Sequence, residues 1–135
     1  MHLFAYGTLL VPRIWEAVTG MTSIESEEAN LLHHQIFRVE GGDFPGIVES
    51  SDPCAQVPGR VFFNLPPDVL SALDRYEDSF YERVSVSVQS AQQEIDAQVY
   101  RIPVSHASEI LSEDPWTLEW FEREAFHRYW NRLFA

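Results

Sequence analysis

Val84, Val86 and Val88 alternate with Arg83, Ser85, Ser87 and Gln89. Side chains on a strand point to opposite faces in turn, so this period of two demands a strand with one buried face and one wet face. Ser90 to Glu94 reads as a turn, and Ile95 to Ile102 reads as the returning strand of a hairpin. Other strand patterns run from Leu3 to Tyr6, from Leu31 to Glu40, through Phe44 to Val48, and from Val57 to Leu65. Thr22 to Asn30 is polar and acidic and reads as a connection.

Helical patterns are fewer. Pro12 opens a short helix through Ile14, Trp15 and Val18 that Gly20 ends. Pro66-Pro67 leads into a helix from Asp68 to about Asp78. The last helix covers about 114–134, with Asp114 as cap and Pro115 at its first position. Leu118, Phe121, Ala125, Tyr129 and Leu133 recur there at spacings of three and four, an apolar stripe. Glu119–Arg123 and Glu124–Arg128 are spaced as outward charge pairs. The expected fold class is α+β, a curved sheet or small barrel with two or three helices, and residues 1–135 fit one domain.

Composition removes several function classes. The net charge is -12, and nucleic-acid binding relies on Lys and Arg neutralising phosphates. Neither a nucleic acid nor an anionic membrane is the expected partner. No apolar run reaches the ~20 residues needed to span a bilayer, and the N-terminus lacks the basic region and cleavage site of a signal peptide. The one cysteine, Cys54, cannot form an internal disulfide, which fits a reducing, cytoplasmic setting. Its loop context gives no nucleophile signature. His33 and His34 fall on opposite faces of the expected strand, and His2, His106 and His127 show no metal-ligand spacing.

Two features carry chemistry. On a helical wheel with Leu70 at zero, Leu73 falls at about 300° and Glu77 at about 340°. Glu77 then lies on the apolar face with Val69, Ala72 and Tyr76. An inward carboxylate is costly unless paired, and burial raises its pKa towards the range a general base needs near neutral pH. The alternative is a structural Glu77 paired with Arg83 or Arg60. The second feature is Tyr6-Gly7-Thr8-Leu9, where a strand stops in glycine before a helix. Glycine there permits positive φ and lets backbone N–H groups turn towards a carboxylate or oxyanion.

These segments, with Pro58-Gly59-Arg60-Val61-Phe62, Leu73-Asp74-Arg75-Tyr76-Glu77 and Tyr81-Glu82-Arg83, resemble the γ-glutamylcyclotransferase-like (AIG2-like) family over about residues 3–102. The C-terminal helix lies outside the resemblance. The resemblance implies a small mixed barrel with a cavity at one end. It implies an acyltransferase or lyase-type enzyme that cyclises a γ-glutamyl group to 5-oxoproline with release of an amine or amino acid. No metal and no cofactor is implied. Glu77 would be the catalytic acid and base. Tyr6, Gly7, Thr8 and Leu9 would form the substrate loop, and Tyr81 would stand near the cavity. Thr8-Leu9 departs from the Ser-Asn of glutathione-pathway members, which leaves the γ-glutamyl substrate open. An enzyme acting on another γ-glutamyl substrate, such as a deprotecting enzyme, and a non-catalytic ligand-binding module are the competing readings.

Overall fold

The computed structural model describes all 135 residues. β6 (Glu82–Ser90) and β7 (Glu94–Arg101) form the expected antiparallel hairpin, with Val84 opposite Val99 and Val88 opposite Ile95. This hairpin is two-fifths of a closed barrel of order β1-β5-β2-β6-β7, where β1 is Leu3–Ala5, β2 is Ser26–Leu32 and β5 is Gln56–Phe62. All pairings are antiparallel except β1 with β7, which meet in parallel at Leu3 and Gln98. β3 (His34–Arg38) and β4 (Pro45–Glu49) make a separate two-stranded sheet. The α+β class and the small mixed barrel therefore hold.

The barrel is filled by Phe4, Leu31, Val57, Val61, Val88 and Val99 with their neighbours, all buried. A second, larger core of Leu3, Ile14, Trp15, Leu73, Trp116 and Phe121 joins the helices to the outside of β1 and β5. Closure depends on one missing side chain. A Cβ at Gly59 would lie 2.2 Å from the Ala5 carbonyl oxygen, so β5 admits β1 only because residue 59 is glycine.

Several boundaries differ from the expectation. The strand read as Leu31 to Glu40 is two strands, because His33 adopts φ 61° and turns the chain between β2 and β3. His33 is therefore not on a strand at all, while His34 is buried beside it. The segment 22–30, read as a connection, supplies most of β2: its charges face outward while Ala29 and Leu31 face the core. A helix at Val104–Ile110 (α3) went unread because it buries no side chain and carries no apolar stripe.

Pro12–Thr19 forms α1 as expected, closed by Gly20 at φ 73°. α2 is Pro67–Tyr76, two residues shorter at its end than expected. The last helix begins at Leu118, not near 114, and is capped by the Thr117 hydroxyl accepting from the Trp120 N–H. Residues 113–116 form no helix: the chain bends at Glu113 and Asp114, and the Trp116 indole donates to the Asp43 carbonyl. α4 (Leu118–Trp120) widens into a π-helical turn (Phe121–Ala125) and continues as α5 (Phe126–Leu133). The wider turn keeps Phe121, Ala125 and Tyr129 together on the buried side. No helix is long and apolar enough to cross a membrane.

Asp43 ties this helix to the β3–β4 connection. Both its carboxylate oxygens accept from Arg128, at 2.6 and 2.8 Å. Paired guanidinium groups hold its carboxyl below the usual range. Glu119 and Arg123 do pair along the helix, whereas Arg128 reaches past the Glu124 side chain to Asp43 and to the Glu124 carbonyl.

The Gly59 contact yields a direct test. Gly59→Ala forces β1 and β5 apart and is expected to destabilise the protein by roughly 1–3 kcal/mol or to prevent folding, as overpacking does. Urea unfolding of the purified variant measures it, and an unchanged midpoint would refute the closure argument.

Candidate active site

α2 places the first functional group by ending. Val69, Leu70 and Leu73 anchor its inner face. Glu77 then leaves the helix with φ -75° and ψ 142°, its N–H still donating to the Leu73 carbonyl at 3.1 Å. The wheel projection therefore stops short of residue 77, and the extended cap, not helical phase, directs this side chain. It lines a cavity at the end of the barrel that opens to solvent.

The same cavity is lined by Tyr6, Gly7, Thr8, Leu9 and Tyr81, so every residue singled out from the sequence meets in one place. β1 delivers the loop. Leu3–Ala5 are locked between β5 and β7, and the chain then turns into a 3-10 turn at Thr8–Leu10. Gly7 has φ -120°, so positive φ is not the reason for glycine here. The reason is close approach: a Cβ would stand 2.8 Å from the Pro45 ring. The N–H groups of Gly7, Thr8 and Leu9 make no hydrogen bond within the protein, whereas the next two, of Leu10 and Val11, donate back to Gly7 and Thr8. Three free amides at the start of a helical turn offer donors to an anion.

All five tyrosines of the chain line this cavity, although they span positions 6 to 129. The Tyr6 hydroxyl donates to the Tyr100 carbonyl at 2.6 Å. The Tyr100 hydroxyl donates to Asp74 at 2.7 Å, and that of Tyr81 donates to the Pro45 carbonyl. Thr8 and Tyr76 share a hydrogen bond of 2.7 Å, and Tyr76 shares another with Tyr129. Burial raises all five phenol pKa values, so these groups are neutral at physiological pH. Tyr76, Tyr100 and Tyr129 were missed as site residues. Tyr76 and Tyr129 lay in apolar helical stripes and Tyr100 in a strand, and nothing local marks their hydroxyl ends.

Glu77 has no ion-pair partner. Arg83, one expected partner, is held by Asp74 at 3.4 Å, and Arg60, the other, lies 3.9 Å from Glu28. Burial, followed by repulsion from Asp78 and Asp74, pushes the Glu77 carboxyl from 4.5 up to about 8. Between those values the folded protein holds a proton that the unfolded chain releases, so stability falls as pH rises through that window. Glu77→Gln removes this penalty. The variant is expected to match the parent near pH 4 and to exceed it above pH 8, by an amount on the order of a few kcal/mol. Urea titrations at the two pH values test this, and a constant difference between them would contradict it.

The sequence matches the family described as "Gamma-glutamyl cyclotransferase, AIG2-like" over residues 3–118, past the expected end near 102. Two Arabidopsis thaliana proteins are similar: AIG2-like protein D at 30% identity over 65% of this chain, and AIG2-like protein A at 33% over 64%. The chain spans 57% and 51% of their lengths. An Arabidopsis thaliana protein known from its solution structure superposes with TM-score 0.69 and 25% identity, covering 97% of this chain and 86% of that one. A solved γ-glutamyl cyclotransferase superposes with TM-score 0.64 and 21% identity, covering 75% of this chain and 65% of that one, a likeness of fold. With most of its length inside the matched segment, the chain belongs to the γ-glutamyl cyclotransferase, AIG2-like family.

Proposed function

We propose that the chain is a γ-glutamylcyclotransferase-type enzyme that converts a γ-glutamyl amine or γ-glutamyl amino acid into 5-oxoproline and the free amine. The observation that carries this reading is an unpaired carboxyl with a pKa near 8, in a cavity whose rim offers unused backbone N–H donors. A binding protein has no need of an acid kept free of every neighbouring cation.

The substrate's α-amine must lose a proton before it can attack. The substrate's α-ammonium titrates above neutrality, so a carboxyl raised to about 8 accepts its proton far more readily than one at the ordinary value. The neutral amine closes onto its own γ-carbonyl carbon, and the carbonyl electron pair moves to oxygen. The free amides of Gly7, Thr8 and Leu9 are suited to receive that oxyanion. When the tetrahedral centre collapses, Glu77 returns its proton to the departing nitrogen as that C–N bond breaks; the freed carboxylate then takes the surplus proton from the ring nitrogen, leaving the neutral lactam, and passes it to the released amine. The attack is intramolecular, so holding the glutamyl chain folded supplies much of the rate. Five aromatic walls suit the aliphatic glutamyl chain and exclude water around it. Every step uses groups of this chain alone.

Incubation with a panel of γ-glutamyl amines and dipeptides, assayed for 5-oxoproline, tests the reaction. Glu77→Gln is expected to lower turnover by roughly 100-fold or more while the protein stays folded; undiminished turnover would remove Glu77 from the mechanism. In the parent enzyme, kcat/KM is expected to rise about tenfold per pH unit below an apparent pKa near 8, because only ionised Glu77 accepts the proton. A profile flat between pH 6 and 8 would contradict that role.

A further inference from the structure

The cavity around Glu77 opens into a second, outer hollow. Phe44, Tyr76, Asp78 and Tyr129 line both, so the two spaces meet at those four residues. The wall of the inner cavity contains no arginine or histidine. The wall of the outer one contains Arg132, from α5, and Glu40. The two spaces therefore differ in charge as well as in depth.

Arg132 is unpaired in a chain where carboxylates are plentiful. The sequence has 21 acidic residues and 9 basic ones, all of them arginine. Arg38, Arg60, Arg83, Arg101, Arg123 and Arg128 each pair with a carboxylate, and Arg132 does not. Asp43 feels its charge, but Arg128 and Arg38 already hold that carboxylate. What positions Arg132 is the Tyr129 ring, whose centre lies 5.5 Å from the guanidinium carbon. The N–H donors of the guanidinium are left for an acceptor from outside the protein.

The reaction brings one group to this place. The glutamyl unit folds back on itself beside Glu77 and the Gly7 to Leu9 amides, in the inner cavity. The other half of the breaking bond must then project through the opening into the outer hollow. An amino acid in that position carries a carboxylate one carbon from the departing nitrogen, and on release that nitrogen becomes an ammonium. Asp78 stands where the two spaces meet, and Arg132 stands only in the outer one. From inside to outside the order of charges is negative then positive, the complement of an ammonium followed by a carboxylate. Glu40 and Asp78 together make the field there negative, so a carboxylate is retained only by direct contact with the guanidinium, whose fork matches it.

We propose that Arg132 binds the carboxylate of the leaving group, so that the enzyme prefers γ-glutamyl amino acids to γ-glutamyl amines that lack a carboxylate. The proposal rests on the cyclotransferase reading, concerns recognition alone and adds no step to the reaction. Arg132 lies beyond the family-matched segment 3–118, so the preference belongs to this chain's own C-terminal helix.

The test uses γ-glutamyl-alanine and γ-glutamyl-ethylamide, whose leaving groups differ by the carboxylate alone. The first readout is the ratio of their kcat/KM values for 5-oxoproline release. Arg132→Gln is expected to lower that ratio roughly fivefold, through KM of the alanine compound, and Arg132→Lys to recover part of it, because the charge returns without the fork. Arg75→Gln removes an exposed arginine that lines neither space and is expected to keep the parent's ratio. The second readout is calorimetric affinity for the two compounds, in Glu77→Gln protein with and without Arg132→Gln. Thermal unfolding checks the fold of every variant. Turnover with a ratio that Arg132→Gln leaves at the parent's value overturns the Arg132 subsite and leaves the cyclotransferase standing. An equal fall from Arg132→Gln and Arg75→Gln overturns the subsite too, since loss of positive charge anywhere would then be the cause. No 5-oxoproline from either compound, with a calorimetric preference for the alanine compound that Arg132→Gln abolishes, supports the subsite and overturns the cyclotransferase. Neither turnover nor binding overturns both.

Discussion

A three-residue strand carries two duties at once. Leu3–Ala5 is the stave that closes the barrel, bonded to β5 on one side and touching β7 in parallel on the other. The residues that follow it at once are the loop of the site. The position of the Gly7 to Leu9 amides is therefore fixed by sheet hydrogen bonds, not by the loop's own contacts. Such coupling suits catalysis, which needs donors held in place before the charge they meet develops. It also explains why two glycines are indispensable for packing and not for conformation. Gly59 lets β1 in against β5, and Gly7 lets the loop pass Pro45 of β4.

The same economy governs the charges. Glu77 stays free because Asp74, one turn earlier, occupies the available cation: it accepts from both Arg83 and the Tyr100 hydroxyl. Asp74 also raises the Glu77 pKa by repulsion. One exposed carboxylate thus removes the partner that would quench the site and adds a like charge beside it. The protein as a whole has a net charge of -12, so a cavity without a fixed cation is easy to keep and favours a substrate that brings its own ammonium.

What the sequence made legible divides along physical lines. Segments whose pattern is set by burial of one face were readable: the Val84–Val88 alternation, the stripe through Leu70 and Leu73, and the stripe through Phe121 and Tyr129. The split at His33 was not, since a single non-glycine residue at positive φ leaves no trace in hydrophobic periodicity. Nor was α3, which packs no side chain into the core. Glu77 was marked as inward-facing by a helix that ends one residue before it; the inner position is real, but the extended cap directs it. The site's tyrosines come from five elements or their flanks, and only the folded chain assembles them. Their common signal, an aromatic ring with a polar tip at a core position, is shared with ordinary interior residues.

The C-terminal helix shows why the boundary of a family match is not the boundary of a site. Only Leu118 of it lies within residues 3–118. Yet Arg128 binds Asp43 through both carboxylate oxygens, and the chain then runs directly through Phe44 and Pro45 into the cavity wall. From the next position on the helix, Tyr129 reaches the Thr8 loop by way of Tyr76. Adjacent helical residues point about 100° apart, so one clamps the outer connection while the other closes the inner wall. Loosening the clamp must therefore move two walls together. The cavity is a joint product of the barrel and of a helix the barrel does not contain.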